Sequence, residues 1–153
     1  MAQSGARSSG GSSAQSRGLA ILRILIGVFF IAEGLGKVGW LLDSGPLTLR
    51  LTGWLATATP ASRWYLQTVA LPGAPLFARM VLLGELSAGV ALVVGFWTRL
   101  AATFAFLMVM NIHVASGALF TWSFLSSGYG PPVVGSLLAL AVGGGRLPWG
   151  MKN

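Results

Sequence analysis

LAILRILIGVFFIAEGLGKVGWLL, residues 19–42, holds one arginine, one glutamate and one lysine among residues that are otherwise apolar or glycine. A hydrocarbon core of about 30 Å is crossed by about 20 helical residues, so this stretch is long enough to span a bilayer and it decides the class. Working outward, three more segments read the same way: Leu76 to Trp97, which begins after Pro75; Leu100 to Phe120; and Pro131 to Gly145, the shortest and richest in glycine. Only Thr98 and Arg99 separate the second from the third, which makes that pair an antiparallel hairpin. The expected fold is an all-α membrane protein, a four-helix transmembrane bundle with spans at about 19–42, 76–97, 100–120 and 131–145. An interfacial helical segment is expected between spans 1 and 2. There, Leu47, Leu51, Trp54, Leu55 and Ala58 fall at helical spacing between Pro46, suited to a first turn, and Pro60, suited to end it. Residues 61–71 read as a second short helix before Pro72.

Composition agrees with lipid as the solvent. Of the 153 residues 54% are hydrophobic and 8% charged, against roughly 25% charged in a soluble chain, and the mean hydropathy is +0.76. A water-soluble enzyme is excluded. The net charge of +7 arises from 10 Lys and Arg against 3 acids, scattered singly between apolar runs with no basic patch or aromatic platform, so nucleic acid is not an expected partner. The absence of cysteine removes disulfides, thiolate metal sites and cysteine nucleophiles. One histidine alone builds no metal or haem site, and no metal is expected.

Residues 1–18, MAQSGARSSGGSSAQSRG, offer too little apolar surface to offset the entropy of ordering and are expected to be a disordered tail ahead of a single domain, 19–153. A signal peptide is disfavoured because the apolar run is too long, contains Arg23 and lacks a small-x-small cleavage site; it reads as a retained first span. Arg7, Arg17, Arg99, Arg146 and Lys152 fall on one face and Arg50, Arg63 and Asp43 on the other. The positive-inside rule then places both termini in the cytoplasm of a multi-pass inner (plasma) membrane protein. Trp54, Trp64, Tyr65, Trp97 and Trp149 suit the headgroup depth, with membrane lipids as partners. Arg23 lies near the inner interface, where it would snorkel to lipid headgroups, and Arg99 holds the hairpin turn.

Each charge at mid-bilayer costs at least about 2.5 kcal/mol on insertion scales, so each asks for a reason. Counting residues from the span ends puts Glu33, Glu85 and His113 at a similar depth, with Asn111, Lys37 and Arg79 nearby. These six are the candidate polar cluster. Three readings stay open: ion pairing that merely lets the bundle insert, with Glu33 and Lys37 spaced i, i+4 and Arg79 neutralising Glu85; a site for a polar ligand such as a quinone headgroup or an anion; or contacts with another subunit. Gly27, Gly34, Gly36, Gly39, Gly84, Gly89 and Gly95 would let helices approach closely, and Gly143 to Gly145 read as a helix end.

The first-span string LRILIGVFFIAEGLGKVGWL, with Arg23, Gly27, Phe30, Gly34 and Lys37, and the string GELSAGVALVVGFWTRLAA, with Glu85, Gly89, Leu92, Gly95, Thr98, Arg99 and Leu100, resemble DoxX-like membrane proteins. That group includes the DoxD subunit of thiosulfate:quinone oxidoreductase. The resemblance spans roughly residues 19–147 and implies a four-helix membrane bundle, often partnered with redox proteins. It supports fold more than chemistry. The expected function is an accessory or quinone-interacting subunit of a membrane redox complex, with other protein subunits as partners, no intrinsic cofactor and a quinone as ligand. The alternatives are a non-catalytic assembly subunit and, last, a small-solute transporter, for which the chain shows no inverted repeat. Whether the chain is itself catalytic stays open, a quinone-linked oxidoreductase of thiosulfate:quinone type being the enzymatic form.

Overall fold

The computed structural model describes residues 6–119 and 121–151. Among the described residues seven α-helices follow one another: α1 Ala6–Leu35, α2 Gly45–Trp54, α3 Pro60–Tyr65, α4 Ala74–Val94, α5 Thr98–Ala115, α6 Trp122–Ser126 and α7 Pro131–Gly143. A 3₁₀ turn, Val38–Leu41, follows α1, and a π-helical turn, Leu66–Ala70, continues α3. No strand occurs among the described residues. Ser13–Leu35 of α1, α4 and α5 are long and apolar enough to cross a membrane, and α7 is a shorter apolar helix of 13 residues. The molecule is a helical membrane protein.

The helix ends follow from local chemistry. Proline occupies the first turn of α2, α3, α4 and α7, where its missing N–H costs nothing. Thr59 and Thr121 cap α3 and α6 by accepting from the backbone N–H of Ser62 and Phe124. Gly95, at φ +74°, ends α4 in the left-handed conformation that glycine adopts without penalty. The expected α4–α5 hairpin is present but turns within Gly95 to Trp97, and Thr98 and Arg99, expected to form the turn, begin α5.

α1 packs on α4, α4 on α5, α5 on α7 and α7 on α1, so four helices close around Ile26, Phe30, Ala88, Leu92, Ala102, Ala105, Val133, Leu137 and Leu140. The closest crossing is at Gly27 and Gly89: a Cβ added to either would lie 2.8 Å from the carbonyl oxygen of the other. Backbone meets backbone there, the close approach small residues permit between helices in lipid. A second core of Trp40, Leu47, Leu51, Leu66, Ala70, Ala74, Ala78 and Ala115 seats α2 and α3 over one end of the bundle. Ser62, buried, donates its hydroxyl to the Val114 carbonyl at 2.8 Å and pins α3 to the end of α5.

Several boundaries differ from the sequence expectation. The interfacial helix ends at Trp54 rather than beyond Ala58, and Pro60, expected to end it, begins α3. The tail over 1–18 was expected to be disordered, yet helix runs from Ala6 into the span; once a span has nucleated, each added residue gains a hydrogen bond at little further cost. Met1 to Gly5 lie outside the described residues. The first helix stops at Leu35 rather than at residue 42, because Gly34, Gly36 and Lys37 break it into the 3₁₀ turn that buries Trp40. The third span ends at Ala115 rather than at Phe120, with Gly117 at φ +68° turning the chain toward α6.

The two ends of the bundle differ. One, here the arginine end, holds the first half of α1, the C-termini of α4 and α7 and the N-terminus of α5. The other, the carboxylate end, holds Glu33, Lys37, α2, α3 and the N-terminal half of α4.

Candidate functional site

Lys37 sits two residues past α1, where the helix has just unwound, and points back into the bundle. Its ammonium donates to Glu33 Oε2 at 2.9 Å, to Glu85 Oε1 and Oε2 at 3.0 and 2.8 Å, and to the Glu33 carbonyl at 3.1 Å. Glu85 lies mid-way along α4, and its side chain and that of Lys37 are 8% and 11% exposed. Both carboxylates therefore share one ammonium in a low-dielectric interior, where charge-assisted bonds are strong and an unpaired charge is costly. The free oxygen of Glu33, Oε1, accepts from the Tyr129 hydroxyl at 2.7 Å. Tyr129 belongs to the α6–α7 loop, and its phenol is held above the usual tyrosine range first by that bond to Glu33 and then by burial.

His113 is near this network without touching a carboxylate. Its Nε2 donates to the Tyr129 carbonyl at 3.0 Å, which requires the Nε2–H tautomer, and its ring meets Phe124 edge-on at 4.9 Å. It positions the loop that carries Tyr129. Among the described residues no group of three or more His, Cys, Asp or Glu is placed to hold a metal.

Beside the ion cluster a cavity of about 100 Å³ opens between α2, α3, α4 and α5. Its wall combines two cations, Lys37 and Arg50, the Asn111 amide, and the rings of Trp40, Trp54, Tyr65 and Phe77. Trp40 carries both cations: Lys37 Nζ lies 5.9 Å and the Arg50 guanidinium 5.5 Å from its ring centre. Burial pushes the Tyr65 phenol up.

A model of the DoxX family matches residues 18–122. The chain belongs to the DoxX family. No curated protein and no solved structure matches it. The DoxX match includes Glu33, Lys37, Glu85, Asn111 and His113 and ends before Tyr129.

Of the six residues proposed as one cluster, Glu33, Lys37 and Glu85 meet directly, Asn111 joins through the cavity wall, and His113 joins through the Tyr129 backbone. Arg79 does not join. It is exposed and donates to the Pro75 carbonyl within its own helix. The reason is helical phase: Arg79 and Glu85 are six residues apart, which at 3.6 residues per turn places them about 120° from each other around α4. Trp54 also departs from its interfacial expectation, since it lines the cavity, whereas Trp64, Trp97 and Trp149 are largely exposed. Arg50 and Tyr129 were missed. Arg50 follows the apolar stripe of α2 by one turn from Leu47, a spacing that marks it as adjacent to the buried face. Tyr129 is 96 positions from its partner in an irregular loop, where no periodicity announces it.

Arg23 was expected to snorkel to lipid. Instead it is 1% exposed, and its Nη2 donates to the Trp149 carbonyl at 2.8 Å. The chain after α7 folds back across the arginine end and covers it, with Met151 N–H donating to the Val94 carbonyl at 3.1 Å. Arg99 holds the end of α7 by donating to the carbonyls of Ala141 and Val142.

Proposed function

We propose that this DoxX protein is a four-span subunit of a membrane redox complex that binds a quinone headgroup at the carboxylate end. The observation that carries the reading is the buried Glu85–Lys37–Glu33 cluster set against an aromatic-walled cavity. Asn111 and Arg50 supply donors for ring carbonyl oxygens, and Trp40, Trp54, Tyr65 and Phe77 supply flat apolar faces. Apolar walls with a few convergent polar groups are the usual build of such sites. A bound quinone supplies two-electron, two-proton acceptor chemistry. The chain's own share is to orient the ring and to keep the Lys37 ammonium, held by Glu85 and Glu33, at the cavity wall as the nearest proton-bearing group. The electrons come from a partner subunit or directly from substrate, because the sequence carries no flavin motif, haem ligand pair or cysteine.

In this reading α7 is the fourth span. Its ~20 Å length is accommodated by local thinning of the bilayer, and its exposed Leu138 and Val142 meet lipid. Arg17, Arg99 and Arg146 then face the cytoplasm with both termini, in the inner membrane.

A second reading, a non-catalytic assembly subunit, is favoured by one observation: both oxygens of each carboxylate already have a partner. Glu85→Gln and Asn111→Ala separate the two. Purified with its complex from native membranes, the wild type is expected to retain quinone, and both variants are expected to assemble but lose it. Variants that assemble and keep their quinone overturn the quinone site. Variants that fail to assemble, from a wild-type complex without quinone, support the structural role.

A further inference from the structure

The arginine end contains a buried charge with no acid to meet it. The chain has three acidic residues; Glu33 and Asp43 belong to the opposite end, and Glu85, mid-way along α4, is taken by Lys37. Arg23 is 1% exposed, holds one carbonyl through Nη2, and its Nε has no hydrogen-bond partner. Its guanidinium lies directly behind Gly95 and Gly150: a Cβ on Gly150 would fall 2.5 Å from Nη1, and on Gly95 closer still. Both glycines form the floor of an open cavity of about 790 Å³ walled by Trp97, Arg99, Arg146 and Trp149. Arg99 has spent Nε and Nη2 on α7 carbonyls and keeps Nη1 free of them. Arg146 is exposed, without a hydrogen bond.

This cationic cavity and an apolar one flank the same segment of chain. Met151 borders both, and the chain from Val94 to Trp97 alternates between them. The second is a shallow groove along α4, formed by Leu83, Leu86, Ser87, Val90, Ala91 and Val94 with Phe96. From Leu83 to Val94 it runs ~16 Å, on the scale of an acyl chain.

We propose that this composite surface is a binding site for one anionic phospholipid. Its phosphate sits between Arg99 and Arg146 over the buried Arg23 charge, its chain lies in the α4 groove, and Trp97 and Trp149 hold the headgroup level. A buried guanidinium without a carboxylate keeps its field, and a phosphate at the cavity floor is the counter-charge the chain itself lacks. The site is separate from the quinone cavity and stands or falls apart from it. A free phosphate ion shares the headgroup chemistry but has no use for the groove.

The test uses the purified full chain, stripped of lipid in mild detergent and titrated with phosphatidylglycerol, with phosphatidylcholine of the same chains, or with inorganic phosphate, read by native mass spectrometry and thermal stability. Phosphatidylglycerol is expected to be retained at least fivefold over phosphatidylcholine, with no protection by phosphate alone. Arg146→Gln is expected to lower that preference roughly fivefold, since a basic residue near an anionic lipid is worth about that factor. Ser87→Trp, on the exposed face of α4, is expected to reduce binding of both lipids by filling the groove. Equal retention of the two lipids, an unaltered preference in Arg146→Gln, or full protection by phosphate alone would each overturn the lipid site.

Discussion

Lys37 and Arg23 are two buried cations 14 residues apart in the first hydrophobic stretch, and the molecule treats them oppositely. Lys37 meets two carboxylates brought from α1 and α4, while Arg23 meets a backbone carbonyl and no acid. The difference shows what a chain with only three acids does with them: two are spent on one lysine, and the other buried cation is left for the backbone and, in our proposal, a lipid phosphate. A charge matched inside the chain makes a closed cluster whose members depend on one another. A charge left unmatched projects its field outward.

The contrast is open to direct attack by substitution. Lys37→Met leaves two carboxylates buried without their cation, and the expected loss is about 3–5 kcal/mol, seen as failed insertion or a collapsed thermal transition in detergent; a small loss would show that the cluster is not closed. Glu85→Gln leaves Lys37 with Glu33, so thermal unfolding should register a milder cost of about 1–3 kcal/mol. Tyr129→Phe removes one hydrogen bond to Glu33, worth about 0.5–1.5 kcal/mol. Because the Tyr129 pKa is raised, that contribution is present below the unfolded-state value and disappears only as the pH climbs through the raised one. The wild-type advantage over Tyr129→Phe should therefore narrow in alkali and hold steady near neutrality. Arg23→Met orphans no partner charge and is expected to cost under about 1 kcal/mol in lipid-free detergent, while faster amide exchange at Met151 reports release of the covering chain. A loss as large as that of Lys37→Met would erase the distinction between the two cations.

The sequence disclosed what depends on length and spacing: long apolar runs, two short helices between the first two, and the Glu33–Lys37 pair four residues apart. Depth was readable by counting along each span, which grouped Glu85 with Glu33 and His113 and set Lys37, 48 positions from Glu85, near them. Azimuth was not, and Arg79 shows the cost: it was grouped with Glu85 from a shallower level of the same helix, yet the phase of α4 turned it outward. Contacts made by irregular chain escaped altogether. Tyr129 reaches Glu33 from a loop, and the strand of chain covering Arg23 is built from residues 144–151, whose glycines signalled a helix end and nothing of the return path. Arg146 and Trp149 take positive φ there, at 47° and 57°, conformations that no residue preference foretells. The tail before residue 18 was judged by composition alone, which cannot register the helix it is attached to.

The closed cluster is tested most directly by a double-mutant cycle of Lys37→Met and Glu85→Gln, read on thermal stability of the purified protein. The account predicts that Glu85→Gln recovers much of what Lys37→Met loses, with a coupling above about 1 kcal/mol. Losses that add within about 0.5 kcal/mol, as those of independent sites do, would contradict it.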